Sequence, residues 1–255
     1  MVRFLLLLLM SASPWVILAQ MQGAPQSLGI IYNRETAFNL TLHTARSFAA
    51  SLDRGKLITY DRTNFVSIGF GELRHSKEMR QSADPSVSRS FRPYIFGKQN
   101  NLYAIRGAWG AKKYFSEKSR QRGVAVGMSY RLGPTLGILK PYYLALRRVG
   151  DSPTTSRIMH ERYSEENAGV FLDNTRILGA SPFTRGFDEI SLLPGGSGAL
   201  ALHLDWGAFD EFIKAFEIGI MADVFLRPAP ILVGEQGSRQ AFINFFVNLQ
   251  FGKRS

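Results

Sequence analysis

A-F-I-N-F-F-V-N-L-Q-F-G, from Ala241 to Gly252, carries two interleaved series of opposite character. Ala241, Ile243, Phe245, Val247, Leu249 and Phe251 are apolar, and the residues between them include Asn244, Asn248, Gln250 and Gly252. Successive strand side chains point to opposite faces, so this segment has one oily face and one mostly polar face. A soluble sandwich turns the oily face inward, whereas a transmembrane barrel turns it to lipid and gives the polar face to the lumen. The pattern alone allows both.

The start of the chain bears on the choice. Met1, Val2 and Arg3 precede the apolar run Phe4 to Met10 and, after Ser-Ala-Ser-Pro, Trp15 to Ala19. This is the plan of a secretory signal peptide over 1–19, leaving a barrel domain over 20–255. Pro14 breaks the run, and no other stretch approaches the roughly 18 consecutive apolar residues of a membrane helix. With no cysteine there is neither a disulfide nor a lipoprotein attachment site, so stability must come from packing or a closed ladder. The net charge of +11 suits nucleic acid, an acidic partner or an anionic lipid surface. Export sets nucleic acid aside and favours outer-membrane lipid, lipopolysaccharide phosphates and acidic surface glycans.

Working outward from Ala241, seven more segments alternate in the same way: about 36–43, 47–58, 64–73, 101–110, 124–132, 199–206 and 212–226. Phe38, Leu40 and Leu42, for example, oppose Asn39, Thr41 and His43. The even parity of the fifth segment persists to Tyr142, Leu144 and Leu146, which reads as one long strand bent near Gly133 and Pro134. If the N-terminus starts in the periplasm, the links at 59–63, 112–123 and 207–211 fall on the periplasmic side. Those at 44–46, 75–100, 149–197 and 227–240 fall outside, and three of these four are long. The expected fold is all-β: a closed antiparallel transmembrane β-barrel of about eight strands with long extracellular loops, in the bacterial outer membrane.

Such a barrel has room inside for side chains but not for an open channel. The inward series would supply Arg106, Arg131, His203, Asp205, Glu217 and Asp223 among small residues, a polar core whose charges must pair.

The stretches Tyr32 to Thr44 (Y-N-R-E-T-A-F-N-L-T-L-H-T), Phe96 to Tyr103, Gly133 to Leu144, Tyr163 to Asp173 and Asn244 to Arg254 resemble an uncharacterised group of outer-membrane β-barrel proteins from Bacteroidota. The resemblance covers nearly all of the chain after the signal peptide. It implies a fold and a location, and brings no activity or site residue with it. One departure from the broader barrel class is that G-K-R-S follows Phe251 in place of a terminal aromatic.

The catalytic inventory is thin. His203 and Asp205 share a strand face, with Glu217 on a neighbouring strand, which would suit a metal site or an acid/base pair, but a structural hydrogen-bond cluster is the commoner outcome. No G-x-S-x-G marks a nucleophile. No catalytic residue, metal or cofactor is assigned. The loop over 75–100 interleaves Lys77, Arg80, Arg89, Arg92 and Lys98 with Phe91, Tyr94 and Phe96, a mixture able to grip phosphates or sugars. Within 149–197, Ser164, Glu165 and Glu166 ahead of Val170, Phe171 and Leu172 suit a short helix or a plug over the barrel mouth.

These residues point to a structural, surface-binding or envelope- and secretion-accessory barrel, not an enzyme, with an envelope or secretion-machinery protein as a further partner. Two alternatives stand beside it. One is a barrel enzyme acting on outer-membrane lipid or lipopolysaccharide through His203, Asp205 and Glu217. The other is a soluble periplasmic β-barrel with an apolar ligand inside, which requires the oily faces to point inward.

Overall fold

The computed structural model describes residues 32–59, 61–82, 92–115, 124–149, 156–206, 211–234 and 237–255. The expected signal peptide and the loop residues Arg89 and Phe91 lie outside them. In chain order the strands are β1 (Arg34–His43), β2 (Phe48–Thr59), β3 (Arg62–Leu73), β4 (Arg80–Gln81), β5 (Tyr94–Ile95), β6 (Asn100–Tyr114), β7 (Ala125–Pro141), β8 (Tyr143–Val149) and β9 (Ser156–Arg162). The helical turn α1 (Ala168–Phe171) and β10 (Ile177–Ala180), β11 (Ser191–Asp205), β12 (Phe212–Pro230) and β13 (Ser238–Arg254) follow.

Eight of these strands form a closed antiparallel barrel in the order β1, β2, β3, β6, β7, β11, β12, β13, with β13 pairing back onto β1. The seam sets Phe38 opposite Phe251, Leu40 opposite Leu249 and Leu42 opposite Val247. Closure leaves no free edge in the barrel, so every ladder strand has two partners.

The alternation in β13 has the polarity of a membrane barrel. Ile243 is 72% exposed on the outer wall, whereas Asn248 is fully buried in the lumen. Phe38, Leu40 and Leu42 on β1, Val66, Ile68 and Phe70 on β3, and Leu200 and Leu202 on β11 are likewise exposed, while Asn39, Thr41, Ser67 and His203 face inward and are buried. In water this surface would be far larger than the apolar patches soluble proteins tolerate. Facing lipid it is the expected exterior of a transmembrane β-barrel. The soluble barrel with an inward oily face is thereby corrected, because the lumen holds the polar series.

Connections at one end of the barrel are short, 60–61, 115–124 and 206–211, and the first and last described residues lie there (the turn end). At the other, the loop end, are the turn at 44–47 and the connections 74–99, 142–190 and 231–237. The link expected over 227–240 contracts to 231–237 because β12 and β13 both run further than their alternation suggested. Similarly, β11 begins at Ser191 and carries Pro194, Gly195 and Gly196 inside the strand. A Cβ at Gly195 would collide with the Val224 carbonyl oxygen and the Phe225 side chain, so glycine lets β12 approach there.

β7 also departs from expectation. It passes through Gly133 and Pro134 without ending, and the β6–β7 register skips Gly107 and Ala108 opposite them, since Pro134 has no N–H to give. It stops at Pro141, and Tyr143–Val149 leaves the barrel as the central strand of a sheet ordered β10-β8-β9. Leu132 on the barrel is 69% exposed, whereas Leu144 of the same parity is fully buried. Leu144, Leu146, Tyr94, Phe171 and Ile177 form the core of this loop subdomain.

Candidate functional site

The lumen is filled in layers. At the turn end Lys112 donates to Glu35 (2.8 Å) and Gln250 (3.0 Å), and Asp205 accepts from Arg254 (2.6 Å) and Tyr114 (3.0 Å). In the middle, Glu217 accepts from Arg131 at 2.6 Å, Ser129 at 2.8 Å, Asn248 at 2.8 Å and His203 Nδ1 at 3.0 Å. Above it Arg106 makes two parallel bonds to Asp223, at 2.7 and 2.9 Å. Asn248 also accepts from Thr41, and Gln250 donates to Asn39 and Asp53, so the polar residues of β13 tie the seam together.

All six lumen residues singled out from the sequence therefore lie inside the barrel, and each is held by the others or by near neighbours. His203, Asp205 and Glu217 are brought close, but their oxygens and nitrogens are consumed by internal pairing. The nearby cavity, reached by Thr41, Ser67, Arg106 and Arg131, measures only about 40 Å³. That is room for a water or two, not for a lipid. Among the described residues no cluster of His, Asp and Glu is arranged to hold a metal ion. Above Arg106 and Asp223 the inward side chains turn apolar: Leu73, Leu102, Leu139, Leu193, Phe225 and Phe242 pack together beneath Ile231. Ile231 belongs to the β12–β13 connection, which is anchored to 97–100 by hydrogen bonds from Gln99 to Ile231 and from Val233 to Gly97. Among the described residues it is this layer that seals the lumen.

A space of another kind opens at the loop end. A cleft of about 810 Å³ lies between the barrel rim and the loop subdomain, built from the 44–47 turn, the connection after β3, the end of β7 and the stretch 180–185. Among the described residues its lining includes the cations Arg46, Arg74, Arg80, Arg92, Lys98, Lys140 and Arg185 and two carboxylates, Glu72 and Glu78. Both carboxylates are already paired, Glu72 with Arg74 and Glu78 with Lys98, each at 2.7 Å. That leaves Arg46, Arg80, Arg92, Lys140 and Arg185 in excess.

Two of these are placed at a cost. Lys140 is 3% exposed, with its ammonium 4.5 Å from the centre of the Phe183 ring and 5.0 Å from that of Phe187. Among the described residues it has no carboxylate partner. Two aromatic faces offset part of the desolvation of an ammonium but do not neutralise it. Arg46 sits at φ +57°, the left-handed region that glycine or asparagine fills more easily. Its carbonyl accepts from Arg74 (3.0 Å), and its exposed side chain joins the rim.

The rest of the cleft is fixed by hydrogen bonds. Tyr142 Oη accepts from the Ile95 N–H at 3.3 Å, and Tyr143 Oη donates to Glu189 at 2.9 Å. Burial raises both phenols, so they stay protonated. Ser181 on the floor meets His160 Nδ1 at 2.7 Å. Burial, and secondarily Arg185, holds the His160 imidazole below its usual value and hence neutral at pH 7.

Of the loop residues singled out from the sequence, Arg80 and Arg92 line this cleft. Lys77 is exposed just beside it, its N–H donating to His75 Nδ1 at 3.1 Å. Tyr94 differs in role: it is buried in the core of the loop subdomain and supports the cleft from behind. Sequence reading missed Arg46, Lys140, Phe183 and Arg185, which come from two other connections and the end of β7 and carry no shared motif. The one local signal was a long basic side chain at a tight-turn position, Arg46.

No family model matches the chain, and no curated protein matches it in sequence. Among solved structures it is similar to the N-terminal β-barrel domain of Pseudomonas aeruginosa OprF, at 10% identity and a TM-score of 0.35, over 88% of this chain and 98% of that one. It is similar to Neisserial surface protein A at 8% identity and a TM-score of 0.40, over 88% and 95%. For Ail, the attachment invasion locus protein of Yersinia pestis, the values are 9% and 0.39, over 88% and 100%. At these scores the likenesses carry no argument, and the barrel rests on its own closed ladder.

Proposed function

We propose that this chain is an outer-membrane β-barrel protein that captures polyanionic ligands at the cell surface, with phosphate-bearing glycans such as lipopolysaccharide cores as the ligand class. The observation that carries this reading is Lys140, a lysine only 3% exposed that lines the cleft without a carboxylate partner among the described residues. An anion entering the cleft would supply the missing counter-charge. Arg80, Arg92 and Arg185 offer planar, multidentate donors around it, and Phe183 and Tyr143 offer faces for the apolar sides of sugars. The orientation follows from the short connections at one end, which suit the periplasm, and the loop subdomain at the other, which suits the exterior. The proposed role is surface binding.

The test uses the purified barrel in neutral detergent at physiological ionic strength, titrated calorimetrically with inositol hexakisphosphate and, as a control, uncharged inositol. Saturable binding of the hexakisphosphate alone is expected, weakened about tenfold or more in Lys140→Met by loss of one charge-assisted contact. Unchanged affinity in Lys140→Met would remove the basis of the proposal.

A further inference from the structure

The outer wall carries a second cationic feature. A groove of about 830 Å³ runs over β2, β3, β6 and β7 at the turn end, far along the strands from the cleft. Its margin holds Arg34, Arg54, Lys56 and Arg62, and among the described residues its lining includes no carboxylate. None of the four has an ion-pair partner among the described residues; Arg62 Nε donates to Asn64 at 3.3 Å. Toward mid-wall the groove is flanked by Val66, Trp109, Tyr130 and Leu132, all strongly exposed.

The floor of the groove reaches Gly110 and Phe65. Register explains the groove's charge. Arg54 lies in the same cross-strand row as Val66, Trp109 and Leu132. A guanidinium among lipid-facing apolar side chains is costly unless an anion meets it there.

We infer that this groove is a binding site for an anionic glycerophospholipid of the leaflet on the turn side, its phosphate held by Arg54 and Arg62 and an acyl chain laid along Trp109 and Leu132. The argument for this occupant is charge complementarity: among the described residues, four cations and no carboxylate leave nothing to receive the ammonium of a zwitterionic headgroup. It rests on the lipid-facing wall and does not depend on the cleft.

Native mass spectrometry of the detergent-solubilised barrel, equilibrated with equal amounts of phosphatidylglycerol, phosphatidylcholine and lipid A, tests the inference. Preferential retention of phosphatidylglycerol over phosphatidylcholine by about tenfold is expected, with loss of that preference in Arg54→Gln/Arg62→Gln. Trp109→Ala removes the acyl-chain contact while keeping every cation, and should also lose the lipid. Each variant is first shown to be folded by its heat-dependent gel shift, and should bind inositol hexakisphosphate as the parent does. Equal retention of the two phospholipids, displacement by lipid A, or an undiminished preference in either folded variant would overturn it.

Discussion

Replacing Glu217 by alanine should be among the most damaging single changes in the barrel. Glu217 is fully buried and accepts from one guanidinium, one imidazole, one hydroxyl and one amide. Removing it strands the Arg131 charge, which costs about 3–5 kcal/mol. Each of the other three donors left without this partner adds about 1 kcal/mol, partly offset if water enters the space. A loss of about 5 kcal/mol is therefore expected. The double change Arg131→Met/Glu217→Ala removes the stranded charge, and should recover about half of that loss. Glu217→Gln, which keeps the shape, should fall between the parent and the alanine variant. The assay is a urea titration of barrels folded into phospholipid vesicles, read by the mobility of unheated samples on gels. Since Glu217 is remote from the cleft, hexakisphosphate affinity should not change in whatever fraction stays folded. A loss below about 2 kcal/mol for Glu217→Ala, or a double variant no more stable than the single, would refute the reading of the lumen as a charge-paired core.

Three further outcomes follow from other parts of the molecule. Arg46→Gly should raise stability by about 1 kcal/mol by relieving the left-handed backbone, yet lower hexakisphosphate affinity; parallel urea and calorimetric titrations separate the two. Leu200→Lys places a charge on the exposed outer wall, and should cost about 2–4 kcal/mol near the bilayer midplane in the same vesicle assay, whereas a neutral result would argue that this face does not meet lipid. In the loop subdomain, Arg148 donates bidentately to Glu161 and holds its carboxyl below the usual range, while burial lowers His160. Both folded values lie below the unfolded ones, so their contribution is present at neutral pH and is lost as pH falls, first through His160 and then through Glu161. Amide exchange in β8 and β9, corrected for its intrinsic rate, should rise on acidification; protection that is independent of pH down to the acid range would contradict this.

Much of the barrel could be read because each strand faces two solvents. Phe38, Leu40 and Leu42 against Asn39, Thr41 and His43 fix parity and face at once, and each of the eight barrel strands contains one of the alternating segments. Alternation does not report what an apolar face touches. Leu144 and Leu146 continue the parity of β7 while burying themselves in a separate core. Composition misled in the opposite sense at Pro194 to Gly196, where loop-like residues sit in β11 to admit Phe225. The six lumen residues were legible as inward charges, but not who pairs with whom, because Arg106 and Asp223 are far apart in sequence. The cleft was least legible. Arg46, Arg92, Lys140 and Arg185 come from four separate segments, and only the fold brings them together.

The doubly closed lumen has a consequence for what capture can mean. With ion pairs filling the middle and Leu73, Leu102, Phe225 and Phe242 stoppering the loop end, a molecule held between the rim and the loop subdomain has no road onward through the barrel. Such a protein would retain its ligand on the side where it was met, and reconstituted in a planar bilayer it should be electrically silent whether the cleft is empty or full. Any message from one side of the membrane to the other would have to travel as a shift in the barrel wall or through a second protein, never as the passage of the ligand itself.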